Sequence, residues 1–178
     1  MSVNRLSIRK ATVKDSTLVA SFSARTFQDA FGSQNTKEDM EEYLSANFNE
    51  EFVCSQLLDP SSTYLLAFQQ DRLIGYSMLL AGEVPDGVSG LKPIELVRIY
   101  IDGMHKGKGY GSRLMEAIIQ AAGQGLHDVM WLGVWEQNKS AIAFYTKWGF
   151  NKVGMKEFIL GSDVQHDLIM ERRVKLTV

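Results

Sequence analysis

The chain has 178 residues, 45% of them hydrophobic, and 19 Lys and Arg against 21 Asp and Glu give a formal net charge of −2. That length suits one domain over 1–178 with a real core, and the near-neutral balance argues against nucleic acid as a general partner. A single cysteine, Cys54, excludes an intrachain disulfide framework and a cysteine-cluster metal site, so no metal is expected. Arg5, Arg9 and Lys10 are followed by no apolar leader segment, and no apolar run reaches membrane length; the expectation is a cytoplasmic protein without a membrane partner.

Val3–Lys10 alternates apolar and polar residues as a strand does, and Asp15-Ser16 then caps a helix through Phe31. A second helix opens at Thr36 and runs to about Ala46, with acids in its first turn. Glu50–Leu58 reads as a third helix, stopped by Asp59-Pro60. On it, Cys54 lies among Phe52, Val53 and Leu57 and is expected to be a small buried hydrophobe. Ser62–Gln69 and Leu73–Ala81 form a hairpin about Gln70-Asp71-Arg72. Pro85 and Pro93 bracket Asp86-Gly87-Val88-Ser89-Gly90, a long loop. Then come a strand at Glu95–Ile101, a helix at Gly109–Gly123, a strand at His127–Val134 and a helix at Lys139–Trp148 ended by Gly149. Strands at Phe150–Leu160 and Gln165–Val174 finish the chain. A helix between two consecutive strands implies a parallel pair, whereas hairpins imply antiparallel ones. The fold class is therefore mixed α/β (α+β by stricter sorting), with a mostly antiparallel sheet and one parallel pair.

Residues 95–113 are the most informative stretch, because a strand runs into a glycine-rich turn that opens directly into a helix. Gly107, Gly109 and Gly111 alternate there with Lys108, Tyr110 and Ser112, and Lys106 precedes them. Absent side chains let backbone N–H groups approach an anion at a helix N-terminus, where the dipole favours negative charge. The spacing does not match a dinucleotide fingerprint, whose third glycine would fall at Ser112, and no Gly-Lys-Ser/Thr run of a P-loop occurs.

Lys106-x-x-Gly109-x-Gly111 behind a strand resembles the pyrophosphate-binding turn of the GNAT superfamily of acetyl-CoA-dependent N-acetyltransferases. The family form begins with Gln or Arg, so Lys106 keeps the cation and loses the planar hydrogen bonding. A second family signature runs from Trp131 to Phe150 and contains Asn138, Ala141, Phe144-Tyr145 and Gly149-Phe150. The resemblance covers nearly the whole chain. It implies a parallel pair that splays, so that backbone at Ile99, Tyr100 and Ile101 pairs with the pantetheine arm of acetyl-CoA, as an added strand would. It further implies that Lys106–Ser112 bind the pyrophosphate and that Asn138, with Lys139, Ser140 and Lys147 on the same helix, serves the cofactor. Tyr145 would stand near the thioester sulfur as a proton or hydrogen-bond donor. By periodicity alone Tyr145 is a helix-edge aromatic. Glu95 shares a strand face with Val97, Ile99 and Ile101, and is the candidate to help deprotonate the acceptor amine; an ion pair is its other reading. Arg98 and the Tyr100 side chain lie on the opposite face and read as structural. His105, His127 and His166 show no partner arrangement, and Trp131, Trp135 and Trp148 read as packing residues.

Within that superfamily, Thr26-Phe27-Gln28-Asp29-Ala30-Phe31, Gln34-Asn35-Thr36, Tyr43-Leu44, Phe48-Asn49 and Asp167-Leu168-Ile169-Met170 resemble the PaiA-like bacterial spermidine/spermine N-acetyltransferases. A polyamine acceptor follows from that resemblance. Glu38, Asp39, Glu41, Glu42, Glu50 and Glu51, with no Lys or Arg across residues 38–51, are compatible with it, and equally with solubilising helix-start acids. The alternatives are a protein or other small-amine acceptor, or a CoA-binding regulatory module; a homodimer is compatible with the sequence.

Overall fold

The structure, a computed structural model, describes residues 6–160 and 163–176. Among the described residues, seven strands and five α-helices follow in the mixed α/β order expected, and the strands pair in the order β1-β2-β3-β4-β5-β7-β6, with β4 and β5 parallel. The backbone groups into two compact units. One contains residues up to Leu79 together with Arg98–Ile118, the other Leu80–Val97 with residues from Ile119 on.

In the first unit, β1 (Leu6–Lys10) is antiparallel to β2 (Ser62–Gln69); residues 3–5 of the expected first strand lie outside the described residues. A 3-10 turn at Val13–Asp15, too short to leave a periodic signal, precedes α1 (Ser16–Phe31). Asp15 closes it by accepting from the Thr12 N–H and from both terminal nitrogens of Arg9 at 2.9 and 2.7 Å. Thr36 caps α2 (Lys37–Asn47) by accepting from the Asp39 N–H, and Asn49 caps α3 (Glu50–Leu58) by accepting from that of Phe52. The apolar faces of α1 and α2 meet in an aromatic cluster, in which Phe27 contacts Phe31, Tyr43 and Phe48. Cys54 is half-buried rather than buried, because Val53 takes the inward position of α3. The hairpin turn is tighter than expected, with β3 (Arg72–Leu80) already begun at Arg72 and Gln70 in the left-handed region at φ 55°.

In the second unit, the first residues of β4 (Pro93–Ile101) pair with β5 (Val129–Trp135). β5 pairs antiparallel with β7 (Asp163–Arg173), which pairs with β6 (Asn151–Leu160) across a bulge between Lys152 and Gly154. The helix α5 (Lys139–Lys147) ends as the sequence implies, with Gly149 at φ 81°. The proline-flanked loop is tied down at two points. Glu171 accepts from the N–H and hydroxyl of Ser89, and Asp128 accepts from the N–H groups of Leu91 and Lys92. Those two N–H bonds lead the influences that hold the Asp128 carboxyl below its ordinary range.

Candidate active site

In the first unit β4 ends at Ile101 and the chain bends at Asp102, which is 3% exposed. Asp102 accepts from the Met104 N–H, opening a 3-10 turn at Gly103–His105, and pairs with Arg25 at 2.9 Å and Arg72 at 3.7 Å. Burial alone would raise the Asp102 carboxyl, but the Met104 N–H and the two guanidiniums outweigh it and hold the group below its ordinary value. His105 Nε2 lies 3.1 Å from Gln69 Oε1, and Gln69 Nε2 donates to the Tyr110 hydroxyl at 2.7 Å. The amide of Gln69 thus joins the residue before the glycine turn to the first residue of α4 (Tyr110–Gln124). His105 is therefore a brace for this turn, a role its spacing did not announce.

Between those anchors, Gly107 and Gly109 adopt φ values of 73° and 81°, and a Cβ added at either would meet nothing within 4 Å. Backbone conformation, together with an open side toward solvent, calls for glycine at both. Gly111 differs, lying inside the first turn of α4. The N–H groups of Gly107, Lys108, Gly109, Tyr110, Gly111 and Ser112 make no hydrogen bond to another described residue. Lys106 and Lys108 are exposed beside them, and the 15-residue α4 points its positive end the same way. An anionic group of pyrophosphate size fits these donors. Directly before the turn, β4 packs closely on β3: the Asp102 N–H donates to the Ile74 carbonyl at 2.8 Å, and a Cβ at Gly75 would come 2.9 Å from the Tyr100 carbonyl. The Tyr100 ring stacks on Tyr76 at 5.8 Å and belongs to the packing, which leaves its backbone, with Ile99 and Ile101, for any cofactor role.

In the second unit, the parallel ladder holds for three pairs, Pro93↔Val129, Ile94↔Met130 and Glu95↔Trp131, while β5 continues to Trp135 paired with β7. The ladder therefore stops at the residue expected to act as base. Glu95 Oε1 lies 3.7 Å from Lys156 Nζ, with side-chain exposures of 22% and 35%. This ion pair is the alternative reading of Glu95, and it leaves a half-buried carboxylate beside a cation. Lys156 also lies over the Trp131 ring, 5.1 Å from its centroid. Its route crosses Gly133, where an added Cβ would fall 2.8 Å from Lys156 Cε and 3.1 Å from Asp167 Oδ2. Burial raises the Asp167 carboxyl, and the Lys156 charge acts the other way. Sequence reasoning missed Lys156 and Gly133, and named Asp167 only as part of a resembling segment. Cross-strand register brings Lys156 opposite Asp167 and is invisible in linear spacing.

Asn138 caps α5, its Oδ1 accepting from the Ala141 N–H and the Ser140 hydroxyl at 3.1 Å each. Lys139, Ser140 and Lys147 are exposed. Tyr145 packs edge-on against Phe144 at 5.6 Å and Phe150 at 5.7 Å, and its hydroxyl makes no hydrogen bond to another described residue. Burial pushes the phenol well above its ordinary value, so the group is a neutral donor at any physiological pH. His127 Nδ1 sits 3.1 Å from the Lys92 carbonyl, in the loop anchor. Among the described residues no group of His, Cys, Asp and Glu could hold a metal ion, and no helix is long and apolar enough to cross a membrane.

The sequence model of the acetyltransferase (GNAT) family matches residues 24–150, a span holding the glycine turn, the end of the parallel ladder and Tyr145. The chain belongs to the GNAT family. This GNAT chain is 30% identical over 160 residues to an uncharacterized N-acetyltransferase of Mycobacterium bovis, covering 90% of this chain and 98% of that one. It is 28% identical over 165 residues to an uncharacterized N-acetyltransferase from the pepI 3′ region of Lactobacillus delbrueckii subsp. lactis, covering 93% and 95%. The crystal structure of the PaiA N-acetyltransferase of Thermoplasma acidophilum in complex with coenzyme A superposes with a TM-score of 0.75 over 95% of this chain and 99% of that one, at 21% identity. At that identity the likeness is one of fold. The activity that comes with family membership is acetyl-CoA-dependent N-acetyl transfer.

Proposed function

We propose that this GNAT chain moves the acetyl group of acetyl-CoA directly to a primary amine, most simply that of a polyamine. The observation that carries the cofactor half is the run of six N–H groups from Gly107 to Ser112 without a partner among the described residues, flanked by Lys106 and Lys108. The pyrophosphate would accept from those groups, and the pantetheine amides would pair with backbone at Ile99 and Ile101 as an added strand. Asn138, Lys139, Ser140 and Lys147 would serve the same ligand from α5.

The chemistry needs a proton removed from the acceptor ammonium, attack of the freed nitrogen on the thioester carbonyl, and departure of the thiolate. Glu95, kept beside the Lys156 ammonium, is the group to receive the first proton, directly or through water. Tyr145 would donate a hydrogen bond to the departing sulfur. A phenol raised this far above a thiol's pKa of about 8.5 is a poor source of a fully transferred proton and a good hydrogen-bond donor. As the amide forms the nitrogen sheds its second proton to solvent, and solvent supplies the proton that completes the CoA thiol.

Support for a polyamine comes from the PaiA-like resemblance and from the exposed Glu38, Glu42 and Glu51. Part of that acidic run is already engaged. Glu41 pairs with Lys37 at 3.6 Å, Glu50 accepts from Ser16 and Thr17, and Asp39 accepts from Thr36. The deciding experiment measures CoA thiol release from acetyl-CoA with spermidine, spermine, a lysine peptide or no acceptor. Turnover with any of the amines supports the transferase, and turnover confined to spermidine and spermine would establish the polyamine acceptor. Bound acetyl-CoA without turnover on any amine would replace the enzyme reading with a CoA-binding regulatory module.

A further inference from the structure

Arg98, which reads as structural in the sequence, has surroundings unlike those of Arg9, Arg25 and Arg72 in its unit. Its guanidinium carbon stands 4.6 Å above the Phe48 ring, and Nη1 lies 3.8 Å from the Met78 sulfur. The walls are Phe48, Tyr64, Tyr76 and Met78, none more than 4% exposed. Arg98 itself is half-buried, and no carboxylate of a described residue comes within 4.0 Å of it. Arg9, Arg25 and Arg72 are more exposed, yet each reaches an aspartate, at 2.7, 2.9 and 3.7 Å respectively.

That distribution runs against the usual order, in which the charge drawn furthest from water is the one that is paired. Phe48 covers one face of the guanidinium plane and offers nothing to its edge. Its five N–H donors meet the Met78 thioether, a weak acceptor, and the neutral Tyr64 hydroxyl, and no carboxylate among the described groups. Burial pushes the Tyr64 and Tyr76 phenols up, and the Arg98 charge is the leading influence against it for both, joined at Tyr64 by a hydrogen bond with Arg98.

We propose that Arg98 is an anion-recognition residue for the acceptor, binding a carboxylate through the planar N–H edge that Phe48 leaves open. One guanidinium between apolar walls balances one negative charge, which suits a carboxylate better than a phosphate dianion, and the guanidinium fork matches its two oxygens. The acceptor class is then an amine that also carries a carboxylate, such as a free amino acid, in place of a pure polycation. This inference rests on the N-acetyltransferase reading and narrows its substrate.

The test pairs amines that differ only in a carboxylate: lysine with cadaverine, ornithine with putrescine, phenylalanine with phenethylamine, alongside spermidine. Wild-type kcat/KM should favour the carboxylated member of each pair by roughly 10- to 100-fold, the worth of one charge-assisted fork. In Arg98→Gln the ratio should fall to near one, and in Arg98→Lys, which keeps the charge and the fold without the fork, it should be intermediate. The KM for acetyl-CoA and the melting temperature report any general damage. A wild-type ratio near one overturns the inference outright, as does a ratio that survives Arg98→Gln in a folded protein. Turnover of spermidine alone would keep the transferase and sink the carboxylate site. Should no amine turn over, thermal shift decides the site separately: lysine should stabilise the wild type more than cadaverine does, and equal shifts refute it.

Discussion

Replacing Gly109 by alanine separates two demands that the turn makes on one residue. At φ 81° with nothing within 4 Å of an added Cβ, the methyl clashes with no protein atom, so its cost to folding is the left-handed backbone alone. That is roughly 1–2 kcal/mol, which for a chain of this size lowers the melting temperature by about 2–8 °C. The cost to binding is different in kind, because the methyl occupies the open space in front of the Gly107–Ser112 N–H groups. Losing one charge-assisted hydrogen bond there is worth about 1.5–3 kcal/mol, or roughly a 10- to 150-fold rise in acetyl-CoA KM. Steady-state kinetics and calorimetric titration with CoA read the second effect, and a thermal melt reads the first. Acetyl-pantetheine, which lacks the pyrophosphate, is the control, and its KM should hardly move. A folded Gly109→Ala protein with unchanged acetyl-CoA KM, or one weakened equally toward acetyl-pantetheine, would refute the pyrophosphate assignment.

Tyr145→Phe removes only the hydroxyl, so it should lower kcat by roughly a hundredfold with little change in CoA affinity; lost affinity with intact turnover would contradict the donor role. Glu95→Gln should abolish the acidic limb of the pH dependence of kcat/KM. Lys156→Met, which takes away the ammonium 3.7 Å from Glu95, should move that limb to higher pH, and identical profiles in all three proteins would make Glu95 structural. Hydrogen bonds from Arg9, with burial opposing, hold the native Asp15 carboxyl far below its unfolded value of about 4. The pair therefore stabilises the fold above that pH and loses its effect as the pH falls. Asp15→Asn should be less stable than wild type in urea at pH 7, with the gap closing toward pH 2; a gap independent of pH would dismiss the linkage.

Much of the fold was legible because the relevant signals are local. Cap residues such as Thr36 and Asn49, the Gly149 stop and the 3.6- and 2-residue periods are decided within a few positions, and the helices and strands fall close to where those signals put them. The glycine turn was legible for the same reason. Its N–H groups are presented by the backbone of consecutive residues, although alternation alone could not tell that Gly107 and Gly109 need a left-handed φ while Gly111 does not. The 3-10 turns at Val13–Asp15 and Gly103–His105 escaped because three residues carry no period.

What surrounds the chemistry belonged to a different scale. His105 looked isolated until Gln69, 36 residues away, was found to link it to Tyr110. The cation beside Glu95 came into view only when register carried Lys156 over Gly133 toward it. Arg98 read as a structural strand residue, and only the folded chain revealed that Phe48 and Met78 meet it where a carboxylate would be expected. The sequence by itself determined the helices, the strands, the glycine turn and the family, since each is written in neighbouring residues. Tertiary structure alone decided which charges are paired, because a counter-ion can come from any strand or helix that packing brings within a few ångströms.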